Sequence, residues 1–140
     1  MLCVPIQAPG ELILCVCIFL YAINKANYLQ AGHTVLIHSA AGGCGQAALK
    51  ICAAVGATAV ATVGSESKAA YLLEQFPAVL RKETVIIRDS SRFAEQLSGA
   101  ISSLDVPGFD IVLDAVSGEF FLPGARSMRH FPADFASYAE

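Results

Sequence analysis

The sequence has no block of basic residues: nine Lys and Arg against twelve Asp and Glu leave a formal net charge of −3 and a pI near 5.5. Such a chain carries no electrostatic footprint for nucleic acid or an anionic membrane surface. It also has no CxxC pair. Its five cysteines (Cys3, Cys15, Cys17, Cys44 and Cys52) are odd in number and fall on apolar or helical-looking stretches, which reads as reduced, buried thiols in a cytoplasmic protein and not as a disulfide framework. The three histidines, His33, His38 and His130, lack ligand-spaced Cys, Asp or Glu neighbours, so no metal site is expected. No apolar run reaches the roughly 18 residues of a membrane helix. Residues 12–23 (LILCVCIFLYAI) fall short of that length, and residues 1–11 contain no Lys or Arg, whereas a secretory signal opens on positive charge. That run is read as a buried helix.

What the chain does have is core. Its 140 residues are 55% hydrophobic and 15% charged, with mean hydropathy +0.57, which suits a single folded domain and excludes a disordered one. From Thr34 onward, short β-favouring runs alternate with helical stretches, and Gly, Pro, Ser or Asp stands at most joints. The pattern predicts strands at 34–39, 58–63, 84–87 and 109–114 and helices at 43–55, 66–75 and 93–104, with a last helical segment at 119–129. Strands separated by helical crossovers form a parallel sheet. The expected fold is therefore an α/β, Rossmann-like, doubly wound sheet of about four strands in the order 3-2-1-4, with an incomplete second half. Residues 1–29 read as an apolar, linker-like helical segment, 30–129 as the dinucleotide-binding domain and 130–140 as a tail.

The informative stretch is His38-Ser39-Ala40-Ala41-Gly42-Gly43-Cys44-Gly45-Gln46, between the first strand and the first helix. Ala40, Gly42 and Gly45 occupy the three positions of a G-x-G-x-x-G turn, with Ala in the first. Gly42 lets backbone approach a diphosphate, Gly45 allows close helix-to-strand packing, and the helix N-terminus presents N–H donors and positive dipole to phosphate. Candidate contacts are Ala41, Gly42, Gly43, Cys44 and Gly45. A domain that binds NAD places an acid at the end of the second strand to hold the ribose diol. Here that strand runs into Val63-Gly64-Ser65-Glu66-Ser67-Lys68. Gly64 replaces the acid, while Ser65, Lys68 and, after the third strand, Arg88 offer hydroxyl and cationic partners for a 2′-phosphate. This favours NADP(H). Two alternatives stay open: Ser65 or Ser67 caps the second helix while Lys68 is solvated, or Glu66 supplies the missing acid.

Three stretches, 30–48 (QAGHTVLIHSAAGGCGQAA), 61–68 (ATVGSESK) and 109–114 (FDIVLD), resemble the cofactor domain of the medium-chain dehydrogenase/reductases. The likeness is to the zinc-free quinone oxidoreductase branch and the enoyl reductase modules of polyketide synthases, and residues 88–95 (RDSSRFAE) add to the second. The resemblance implies an NADP(H)-dependent transfer of hydride to a quinone or an enoyl double bond. It implies phosphate contacts from residues 42–45 and 2′-phosphate contacts from Ser65 and Lys68. In that family a separate barrel-like domain supplies most of the substrate pocket, so another domain or chain is expected to complete the site for a small-molecule substrate, and an oligomer is compatible with this. No catalytic residue is assigned; Asp114 is read as a structural strand-end acid. The alternative function is a catalytically silent nucleotide-binding or assembly module.

Overall fold

The computed structural model describes residues 29–89, 91–113 and 121–128. The expected 12–23 helix, Asp114, the start of the last helical segment and the tail lie outside the described residues.

Four strands, β1 (Thr34–Ile37), β2 (Thr58–Val63), β3 (Val85–Ile87) and β4 (Ile111–Leu113), form one parallel sheet in the order β3-β2-β1-β4. Side chains of a strand alternate between faces, and here both faces are covered. Val35, Ile37, Ala59, Ala61 and Val63 meet helix α1 (Gly43–Val55) and helix α2 (Glu66–Gln75) through Ala48, Leu49, Cys52, Ala69 and Leu72. Leu36, Val60 and Ile86 meet helix α3 (Phe93–Leu104) through Phe93, Leu97 and Ala100, with Phe109 beside them. Two-sided burial is why β1 and β2 read as near-continuous apolar runs. Each fully buried Leu or Phe contributes roughly 1.5–3 kcal/mol relative to exposure.

The bounds of α1, β2, α2 and α3 agree with those read from the sequence, and the strand order is the one expected. Three strands are shorter than expected. β1 stops at Ile37 because the chain turns, with Ser39 at φ +50°. β3 begins at Val85, since Thr84 closes a 3₁₀ turn (Lys82–Thr84) in which its Oγ1 accepts the Arg81 N–H at 2.9 Å. β4 starts at Ile111 because Asp110 clasps β1: its N–H donates to Thr34 O and its Oδ2 accepts the Thr34 N–H, both at 2.9 Å.

The last described helix, α4 (Phe121–Arg126), leads into Met128, which forms a parallel bridge with Phe109. The Phe109 N–H donates to Ser127 O at 2.9 Å, while the next N–H, that of Asp110, goes to β1. Successive N–H groups point to opposite edges of a strand, so Met128 lies on the side of β4 away from β1. No fifth strand was expected; the chain takes up one residue of that position.

Candidate nucleotide site

At the carboxyl end of β1 the chain turns through Ser39 and Ala40 and enters α1. The turn is closed by the Gly42 N–H donating to Ser39 O and the Ala40 N–H donating to Thr62 O, both at 3.0 Å. Gly42 is the N-cap and offers no side-chain cap, and the first turn of α1 holds no acid. The positive end of the helix is therefore not neutralised by a carboxylate of its own first turn, which suits an anion. Gly42 and Gly43 are exposed, and Gly45 is buried. A Cβ on Gly45 would come within 2.4 Å of Ala40 Cα, so the third position of the motif sets how closely α1 sits on the turn. Gln46 braces the loop from behind, donating from Nε2 to Ala41 O at 2.8 Å. The structure thus brings Ala41, Gly42, Gly43, Cys44 and Gly45 together at one helix N-terminus. Cys44 is half-buried there, and Cys52, further along α1, has its thiol pushed up to about 11 by burial.

At the end of β2, Gly64 is exposed, and a Cβ there would lie 3.6 Å from Arg88 Nη2. Arg88 follows β3, and its N–H extends the ladder to Val63 O at 3.0 Å. Its Nη1 donates to Ser39 Oγ at 3.1 Å and, at the longer distance of 3.5 Å, to Thr62 Oγ1. Partial burial lowers the guanidinium pKa, without threatening its charge. Gln96 of α3 holds the backbone on either side of Arg88: Nε2 donates to Ile87 O at 2.8 Å, and Oε1 accepts the Asp89 N–H at 3.3 Å. Ser91 donates to Asp89 Oδ1 from both its amide and its hydroxyl, holding that carboxyl below the usual range.

Ser65 is the N-cap of α2, with Oγ accepting the Lys68 N–H at 3.4 Å and lying 3.1 Å from Ser67 Oγ. The capping alternative is thus realised for Ser65, and the Lys68 side chain stands exposed in the first turn of α2. Gly64 and Ser65 follow β2, Lys68 lies in the first turn of α2 and Arg88 follows β3; of these, Arg88 is the one held against both Gly64 and Ser39 of the glycine turn.

Sequence reasoning did not find His38 and Thr62. Both are buried at the end of the sheet under the turn, with His38 Nδ1 3.0 Å from Thr62 Oγ1. Burial, and secondarily the Arg88 charge, lowers the His38 pKa to about 4, so the ring is neutral at pH 7. Its position directly before the turn was the one available signal.

No family model matches the chain. It is 45% identical over 92 residues to a highly reducing polyketide synthase, ALT1, of Alternaria alternata, a match covering 65% of this chain and 3% of that protein. Among solved structures, it superposes on the nucleotide-binding subdomain of the enoylreductase domain of PpsC from Mycobacterium tuberculosis with a TM-score of 0.67 and 28% identity, covering 84% of this chain and 61% of that one. A quinone oxidoreductase of Pseudomonas syringae pv. Tomato DC3000 gives a TM-score of 0.64 and 25% identity, covering 82% and 33%. The match spans only a few per cent of the curated synthase's length.

Proposed function

Because the chain belongs to the medium-chain dehydrogenase/reductase superfamily, we propose that it is the NADP(H)-binding part of a reductase acting on an activated, enoyl-type double bond. The observation that carries this reading is Arg88. Its guanidinium lies against Gly64, at the strand end where an acid would select NAD, and is held by Ser39 of the glycine turn.

The residues present fit a dinucleotide. The exposed turn at Gly42 and Gly43, with the uncapped start of α1, suits a diphosphate. Arg88, Lys68 and Ser65 would hold a 2′-phosphate, Arg88 through its planar donor fork. When bound, the reduced nicotinamide supplies the hydride. The chain's own part would be to fix the two phosphate sites relative to each other, a role that the hydrogen bonds of the turn and the Gln96 brace support. The substrate pocket is proposed to be completed by another domain or chain, in keeping with the large synthases to which the chain is similar.

NADPH and NADH titrated separately into the full chain are expected to raise its melting temperature, NADPH the more, since a ligand that binds only the folded state stabilises it. Arg88→Ala should cost about 10- to 100-fold in NADPH affinity, the worth of one charged hydrogen-bonding group, and leave NADH within about twofold. Lys68→Ala should cost less, because an exposed cation is screened. Equal shifts with both nucleotides would remove the 2′-phosphate assignment. No shift with either, on a folded chain, would leave a silent module with a glycine turn.

A further inference from the structure

His38 is 2% exposed, and its Nε2 has no hydrogen-bond partner among the described residues. A buried imidazole with one nitrogen unmet is worse for stability than an apolar side chain of similar shape, so its presence calls for a reason other than packing. Its surroundings supply one. The ring reaches Thr62 Oγ1 through Nδ1 at 3.0 Å, and the same oxygen lies 3.5 Å from Arg88 Nη1. On the other side Nε2 faces Gly124 of α4, where a Cβ would come within 2.8 Å, and the ring lies tilted at 43° to Phe93 at a centroid distance of 5.7 Å.

Donor and acceptor roles follow from chemistry. Arginine only donates, so Thr62 Oγ1 accepts from Nη1. The hydroxyl has one proton left to place, and among the described residues His38 Nδ1, at 3.0 Å, is the acceptor within reach. The neutral ring then carries its own proton on Nε2. The other tautomer would leave two buried groups unmet, the Thr62 proton and the Nε2 lone pair, where this one leaves only the Nε2 proton.

We propose that His38 is a positioning residue for Arg88: it orients the Thr62 hydroxyl so that its lone pairs face the guanidinium, and thereby sets the discrimination between a phosphorylated and an unphosphorylated ribose. The inference rests on the reading of Arg88 as the 2′-phosphate partner. Neither His38 nor Thr62 touches the nucleotide; both act from beneath it.

The test uses the full chain and the ratio of NADPH to NADH affinity, measured by calorimetry. His38→Leu removes the acceptor at similar volume, Thr62→Val removes the hydroxyl at the same shape, and His38→Asn keeps an acceptor near the Nδ1 position. The leucine and valine variants are each expected to lower the ratio about 10-fold, the worth of a misdirected charge-assisted hydrogen bond, with NADH affinity held. The double variant should lose no more than either single one, and His38→Asn should retain most of the ratio. Packing damage alone would weaken both nucleotides alike, and that result overturns the proposal, as does a ratio unchanged in Thr62→Val. A wild-type chain without preference would instead overturn the reading of Arg88 itself. Nitrogen NMR of the His38 ring checks the arrangement without any ligand: a proton on Nε2 supports it, and a proton on Nδ1 overturns it. That measurement, with Thr62→Val, suffices if His38→Leu does not fold.

Discussion

Alanine at Gly45 is expected to destabilise the fold by about 3 kcal/mol or more, the upper range for overpacking, because the neighbours here are backbone and cannot move aside as a side chain can. The added Cβ would meet Ala40 at 2.4 Å from Cα, 2.6 Å from O and 2.7 Å from the carbonyl carbon. Relief requires α1 to lift from the end of β1, which breaks the contacts of Ala48, Leu49 and Cys52 with the sheet. A second glycine provides the contrast. Gly99 lies within α3, and a Cβ there meets nothing within 4 Å, so Gly99→Ala should stabilise by roughly 0.5–1 kcal/mol through helix propensity alone. Urea denaturation of the two variants beside the parent chain, comparing midpoints at constant slope, measures both. A small loss at Gly45 would mean that α1 has slack on the turn, and the phosphate site would then be less rigid than described.

Acid should destabilise the chain before its carboxylates titrate. The His38 pKa is lowered from 6.5 to about 4 by burial and by Arg88. Between those values the unfolded chain binds a proton that the folded one refuses, so stability rises with pH across that window. The His38 contribution is fully present above about pH 6.5 and is lost as pH falls towards 4, a difference of roughly 3 kcal/mol at 1.36 kcal/mol per unit. Urea midpoints collected from pH 7 down to 4.5 should fall steeply in the parent chain and much less in His38→Asn. Parallel curves for the two would show that His38 takes up a proton in the folded state without penalty.

How far the sequence could be read depended on whether the deciding interaction was local. The helix at 43–55 was bounded by Gly42 and Gly56, the second by Ser65 and Pro77, and those signals act over a few residues. Strand ends were decided elsewhere. Thr84 was drawn into a turn by Arg81, and Asp110 was claimed by Thr34, its partner 76 positions away. The candidate site divides in the same way. The glycine turn was legible because its spacing encodes a backbone requirement, the close approach of Gly45 to Ala40. The arrangement of His38, Thr62 and Arg88 was not, since it joins residues 24 and 26 apart on neighbouring strands. Only the register of β1, β2 and β3 makes them neighbours.

The bridge between Phe109 and Met128 gives the sheet a direction of growth. β3, at one border, is three residues long and leads into the backbone that Gln96 clamps. The border beyond β4 already carries a segment aligned parallel to it, with the first ladder hydrogen bond in place. Any strand laid down there inherits its alignment from Met128, as a zip inherits its pairing from the first closed tooth. Because exchanging one residue of register would turn every side chain to the opposite face, this single contact determines which residues of such a strand face α3 and which face α1.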